Sequence, residues 1–124
     1  MKNQGYQDLE AWQRGMDLVV ESYRVAGRLP SSERFGLCDQ LRRCAASIPA
    51  NIAEGQSRLR PREFAHFLLI ARGSVAELET HGLLCVRLGY LTDTDIAPLM
   101  ALAGTTGRQV SGLLRYVRSQ CGSR

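Results

Sequence analysis

Ser47, Ser74 and His81 are the side chains whose types would suit nucleophilic chemistry. A serine attacks only with a base in hydrogen-bond reach and a third group to orient that base. Nothing in their spacing requires such a meeting, and a serine on a helix face ordinarily serves packing or hydrogen bonding. A carboxylate-bridged metal centre in a helical bundle needs several inward glutamates and Glu-x-x-His pairs on two helices. This chain has one such pair, Glu63/His66, while Glu77 and His81 stand four apart. Cys38, Cys44, Cys85 and Cys121 form no C-x-x-C pair, and with only two histidines they make no zinc pattern. The run from Gly104 to Gly107 lacks the lysine of a phosphate-binding loop and lies inside a helical pattern. The expectation is a non-catalytic protein with no metal and no cofactor.

A second constellation is more ordered. Steps of three and four residues link Gln40, Arg43, Ser47, Asn51, Glu54 and Arg58 into one polar stripe. An apolar stripe of Leu37, Leu41, Cys44, Ala45, Ile48 and Ile52 runs beside it. Ser74 and Glu77 share a side of the following helix, and a buried Asn51 or Glu54 needs partners of that kind. Gln40, Ser47, Asn51, Glu54, Ser74 and Glu77 are therefore expected to form a polar layer between helices or between subunits. Contact with a ligand is the other reading of the same stripe.

The basic residues make a third group. Arg42, Arg43, Arg58, Arg60 and Arg62 crowd the second helix and the loop after it; Arg108, Arg115 and Arg118 lie near the end of the chain. These two patches suit phosphates. Solvated surface is the competing reading, since acidic residues interleave the first patch. Trp12, Phe64 and Phe67 fit the core seam, which leaves no platform for stacked bases. Net charge is only +4, but no acidic residue follows Asp95, and fifteen of the sixteen basic residues are arginine. That skew reflects either phosphate recognition, which arginine's fork suits, or coding bias.

The elements that must position these groups are four amphipathic helices. Leu9, Trp12, Met16, Val19, Tyr23 and Ala26 recur at helical steps, so residues 8–27 form the first helix after a partly extended lead-in over residues 1–7. Gly15 marks a weak point or a close approach. Gly27 and Pro30 end the helix. Ser31 or Ser32 caps the second helix, which spans about 33–55. Pro49 kinks it near residues 45–49, or splits it in two, and Gly55 is its natural C-cap. Pro61 opens the third helix, 61–88, and Gly89 closes it. Thr92, with Asp95 three residues on, caps the fourth, 93–120. No alternation of β type competes. Short connections predict an antiparallel up-down-up-down four-helix bundle, all-α, as one domain over residues 1–124.

Length and composition agree with a single soluble domain: 124 residues, 44% hydrophobic and 23% charged. The polar start has no signal-peptide pattern, and no run is long and apolar enough to span a bilayer. The cysteines read as reduced core residues. The expected location is cytoplasmic, with no membrane partner.

Several blocks carry a resemblance: Tyr6 to Leu9 with Trp12 and Gln13, Leu29-Pro30, Glu33 to Leu37, Gln40 to Arg43, and Ala71 to Glu79. The most specific is Ser47-Ile-Pro-Ala-Asn-Ile-Ala-Glu-Gly55. In their order and spacing the chain resembles, over about residues 6–118, the four-helix bundle family named after 23S ribosomal RNA intervening sequences. It is similar also to the accessory protein of diversity-generating retroelements. The resemblance implies an antiparallel bundle assembled as a homo-oligomer, a ring of five. It also implies RNA or DNA as partners, and a protein partner such as a reverse transcriptase. It offers no catalytic residues to carry over, and the arginines above are not matched by its motifs. The reading that results is an RNA-binding or adaptor protein acting through arginine-rich surfaces. A protein-interaction scaffold with no nucleic-acid role is the alternative.

Overall fold

The computed structural model describes residues 5–121, so the lead-in expected over residues 1–7 lies partly outside them. Its described part is a 3-10 helix, Gly5–Asp8, whose Tyr6 ring meets Trp12 edge-on at 5.4 Å. Four helices follow: α1 (Glu10–Ala26), α2 (Leu37–Ser57), α3 (Pro61–Arg87) and α4 (Asp93–Cys121). No strand occurs among the described residues.

Consecutive helices pack side by side and α4 returns to α1, whereas among the described residues no diagonal pair of helices brings its Cα atoms within 8 Å. The direction of each pair follows from which residues meet. Cys38 bonds the Ala26 carbonyl while Gly15 lies against Ile48 and Pro49. Ser47 meets Ser74 while Gly55 lies against Phe64 and Phe67. Gly82 faces Leu99, and Gly107 faces Val75. Numbers rise on one helix as they fall on the next, so the four form an antiparallel bundle. Leu18, Leu41, Ile48, Ile52, Leu68 and Leu78 are among the fully buried residues at its centre.

The buried face of α1 is not the expected one. Ala11, Gly15, Leu18, Ser22 and Val25 point inward. Of the large apolar residues expected there, Met16 is 42% and Tyr23 49% exposed. Small residues let α1 approach its neighbours closely, so the helix turns by one position, about 100°, from its bulkiest stripe. Trp12, Met16 and Val19 instead line an open apolar groove of 310 Å³ with Ala46, Pro49 and Ala50 of α2.

The start of α2 also differs. Ser31–Glu33 form a 3-10 turn, neither serine caps, and α2 begins at Leu37. Glu33 does the capping from outside: its Oε1 accepts the Leu37 N–H at 3.0 Å. α2 runs unbroken through Pro49, so it is not split there. Gly55 is not a cap. It is buried inside the last turn, where a Cβ would stand 2.8 Å from the Phe67 Cβ and 2.9 Å from Phe64 Cδ1. The other two ends follow their sequence signals. Gly89, at φ +83, closes α3, with Tyr90 N–H donating to the Cys85 carbonyl at 3.0 Å. Thr92 and Asp95 exchange side-chain-to-backbone bonds of 3.1 and 2.8 Å at the start of α4.

Candidate nucleic-acid interface

The polar stripe of α2 divides on folding. Ser47 donates to the Cys44 carbonyl and lies 2.7 Å from Ser74 Oγ across the α2/α3 seam. Asn51 turns back to the Ser47 carbonyl at 2.7 Å, within its own helix. Of these contacts only the one between Ser47 and Ser74 crosses between helices. Gln40 and Glu54 do not join it: both are exposed, and Glu54 pairs with Arg58 on the surface. Glu77 is exposed as well, with Oε2 3.6 Å from His81 Nε2.

The three side chains suited to nucleophilic chemistry are not assembled. The two serines meet each other, and neither His81 nitrogen has a hydrogen-bond partner. Cys44 donates to the Ser74 carbonyl at 3.0 Å. Its thiol is pushed up to about 12, first by burial and then by the negative charge of Glu77, so it stays protonated and inert. Glu63 is engaged by Arg58 and Arg60, while the His66 ring leans on Phe67. No group of three potential metal ligands lies together among the described residues. No helix is long and apolar enough to cross a membrane.

The arginines sort into two classes. Arg43 pairs with Asp39 at 2.9 Å. Arg58 pairs with Glu54 at 2.8 Å and Glu63 at 3.2 Å, and its guanidinium covers the Phe67 ring. Arg60 reaches Glu63 at 3.7 Å, and Arg42 lies over Tyr23, 5.4 Å from the ring centroid. Most of the first patch is thus committed to intramolecular partners. Arg62, Arg108, Arg115 and Arg118 make no ion pair among the described residues.

Folding adds Arg72, which sequence reasoning did not nominate. It is exposed, makes no ion pair, and faces Arg108 and Arg115 across a groove of 480 Å³ between α3 and α4. Because Gly107 lies against Val75, Arg72 is level with the turn that carries Arg108 and Ser111. Arg108, Ser111, Arg115 and Arg118 follow at steps of three and four, so one face of α4 carries the basic line. The Arg108 guanidinium folds back over Gly104, 3.5 Å from where a Cβ would stand. Glu79 lines the groove beyond the arginines and marks its acidic end.

A signal for Arg72 was present in the sequence. It has no carboxylate three or four residues away on either side, and the same holds for Arg62, Arg108, Arg115 and Arg118. Arg43, Arg58 and Arg60 each have one at such a spacing.

The 23S rRNA-intervening sequence protein family matches the chain over residues 7–112, and the chain belongs to that family. No curated protein matches it.

Proposed function

We propose that this chain is a non-catalytic RNA-binding or adaptor protein, and that its α3/α4 surface is where phosphates are held. The observation that carries this reading is a group of arginines without an intramolecular carboxylate that line one groove, Arg72, Arg108 and Arg115, with Arg118 following on the same face of α4. A guanidinium already paired gains little from a phosphate, since it must first give up its carboxylate. An unpaired one releases counterions from the nucleic acid on binding. Membership of a family named for ribosomal RNA insertions supports RNA over other polyanions.

The test is RNA binding over a salt series. Affinity should fall steeply between about 50 and 200 mM salt. The double variant R108Q/R115Q should flatten the log–log slope by about 2. Absence of binding at low salt would rule the reading out.

We also propose that copies associate through the apolar groove between α1 and α2, in the ring of five that the resemblance implies. Support comes from its lining of Trp12, Met16, Val19 and Pro49, and from exposed Val20 and Tyr23 nearby, a contiguous apolar area of the kind that marks an interface. Five copies would raise the net charge of +4 to about +20, which strengthens attraction for a polyanion. Native mass spectrometry tests the assembly; a monomer at micromolar concentration would refute it. The compartment proposed is the cytoplasm, in keeping with four free cysteines.

A further inference from the structure

We infer that the α3/α4 groove takes double-helical RNA, held by the phosphodiester backbone of one strand, and that it stacks no bases. This rests on the RNA reading above and adds the form of RNA to it.

Three observations lead there. First, none of the residues lining the groove is aromatic. Sites for single strands combine a basic track with aromatic faces on which successive bases lie. The aromatic residues nearest this surface lie outside the groove, the exposed Tyr116 among them. Phe64 packs against the core, Phe67 lies under Arg58, and Tyr116 lines a separate cleft with Leu59 and Phe64. Second, the floor is low. Gly107 and Ser111 succeed one another along α4 and the Arg108 guanidinium lies over Gly104, so a ridge of backbone that settles between the helices meets a cation on the floor itself. Third, the cations are spaced for a run of phosphates. Seven residues separate Arg108 from Arg115, about 10.5 Å along the helix. That separation lets the two guanidiniums meet different phosphates of one continuous strand. Arg72 closes on the same run from the other wall.

Glu79 sets the far limit of the tract, because a phosphate beside it would meet like charge. The Ser111 hydroxyl, level with Arg72, is the group placed to exchange a hydrogen bond with a ribose 2′-hydroxyl, the contact by which duplex RNA is commonly met. Nothing in the groove reads a base edge, so affinity should not depend on sequence.

The experiment is equilibrium binding of the full chain to an RNA duplex longer than one helical turn, to each separated strand, and to a second duplex of unrelated sequence. The expected result is about tenfold tighter binding of either duplex than of the single strands, given the duplex's doubled phosphate density. The two duplexes should bind alike. R72Q should weaken both duplexes equally, and Y116A should change nothing. Single strands that bind as tightly as the duplex, or a loss on Y116A, would overturn the inference while leaving the RNA reading standing. If neither form binds at low salt, both fall together.

Discussion

Tyr90 donates its hydroxyl to Glu33 at 2.8 Å, joining the turn after α3 to the turn before α2. The same carboxylate accepts the Leu37 N–H, so one side chain both caps α2 and fastens the α3–α4 corner. The backbone bond from Leu37, then the Tyr90 hydroxyl, hold the Glu33 carboxyl below the usual carboxylate range. A group with a lowered folded-state pKa lends stability above its unfolded pKa and loses it as pH falls through the folded one. Wild type should therefore melt higher than Glu33→Gln at pH 7, and the gap should close below the ordinary value of 4.5. Thermal melts at the two pH values check this; an unchanged gap would show that Glu33 acts only by packing.

Two glycines on facing helices should respond oppositely to the same change. Gly55→Ala drives a methyl into Phe64 and Phe67 and should cost about 1–3 kcal/mol. Gly73 is exposed inside α3 with nothing within 4 Å, so Gly73→Ala should stabilise by roughly 0.5–1 kcal/mol. Urea unfolding of both variants is the measurement.

Unpaired and paired arginines should differ in their effect on RNA. Arg115→Gln should lower the magnitude of the salt slope by about 1. Arg43→Gln, which breaks only an exposed pair with Asp39, should leave binding unchanged and cost at most about 0.5 kcal/mol of stability. Equal losses of RNA affinity from both would move the binding surface away from the α3/α4 groove.

Met16→Lys places a charge in the α1/α2 groove at a residue that is 42% exposed. The bundle should still fold, with its helical circular dichroism intact, and the native mass should fall to that of a single chain. A native mass that survives the change would locate self-association elsewhere.

Cysteine labelling separates surface from core. Cys121 is only half-buried and should react first with a thiol reagent at mildly alkaline pH. Cys38, Cys44 and Cys85 are buried, and burial raises the thiol pKa of the last two. These three should react only on unfolding. Quantitative labelling with and without denaturant gives the count.

Much of the architecture was legible because local signals were strong and mutually consistent. Pro61, Gly89 and the Thr92/Asp95 exchange fix helix ends through bonds among neighbours in the chain, so tertiary context had little to override. The face of α1 was misread because hydropathy weights large residues, whereas close packing favoured Ala11, Gly15 and Ser22 at the contact. The start of α2 was misread because its cap comes from Glu33 in the preceding turn, held from afar by Tyr90.

The candidate site was legible only in part. Arg62, Arg108, Arg115 and Arg118 stood out as basic residues, and the missing carboxylates around them were already written in the chain. By itself the sequence determined four helices, their order and the concentration of positive charge after Asp95, because these depend on local spacing and composition. Tertiary structure decided the rest. It spent Arg42, Arg43, Arg58 and Arg60 on partners within the protein, and it set Arg72 of α3 across from Arg108 and Arg115 of α4. Which guanidiniums remain without a carboxylate depends on what each helix faces, and that is fixed only when small residues such as Gly82 and Gly107 let α3 and α4 come together.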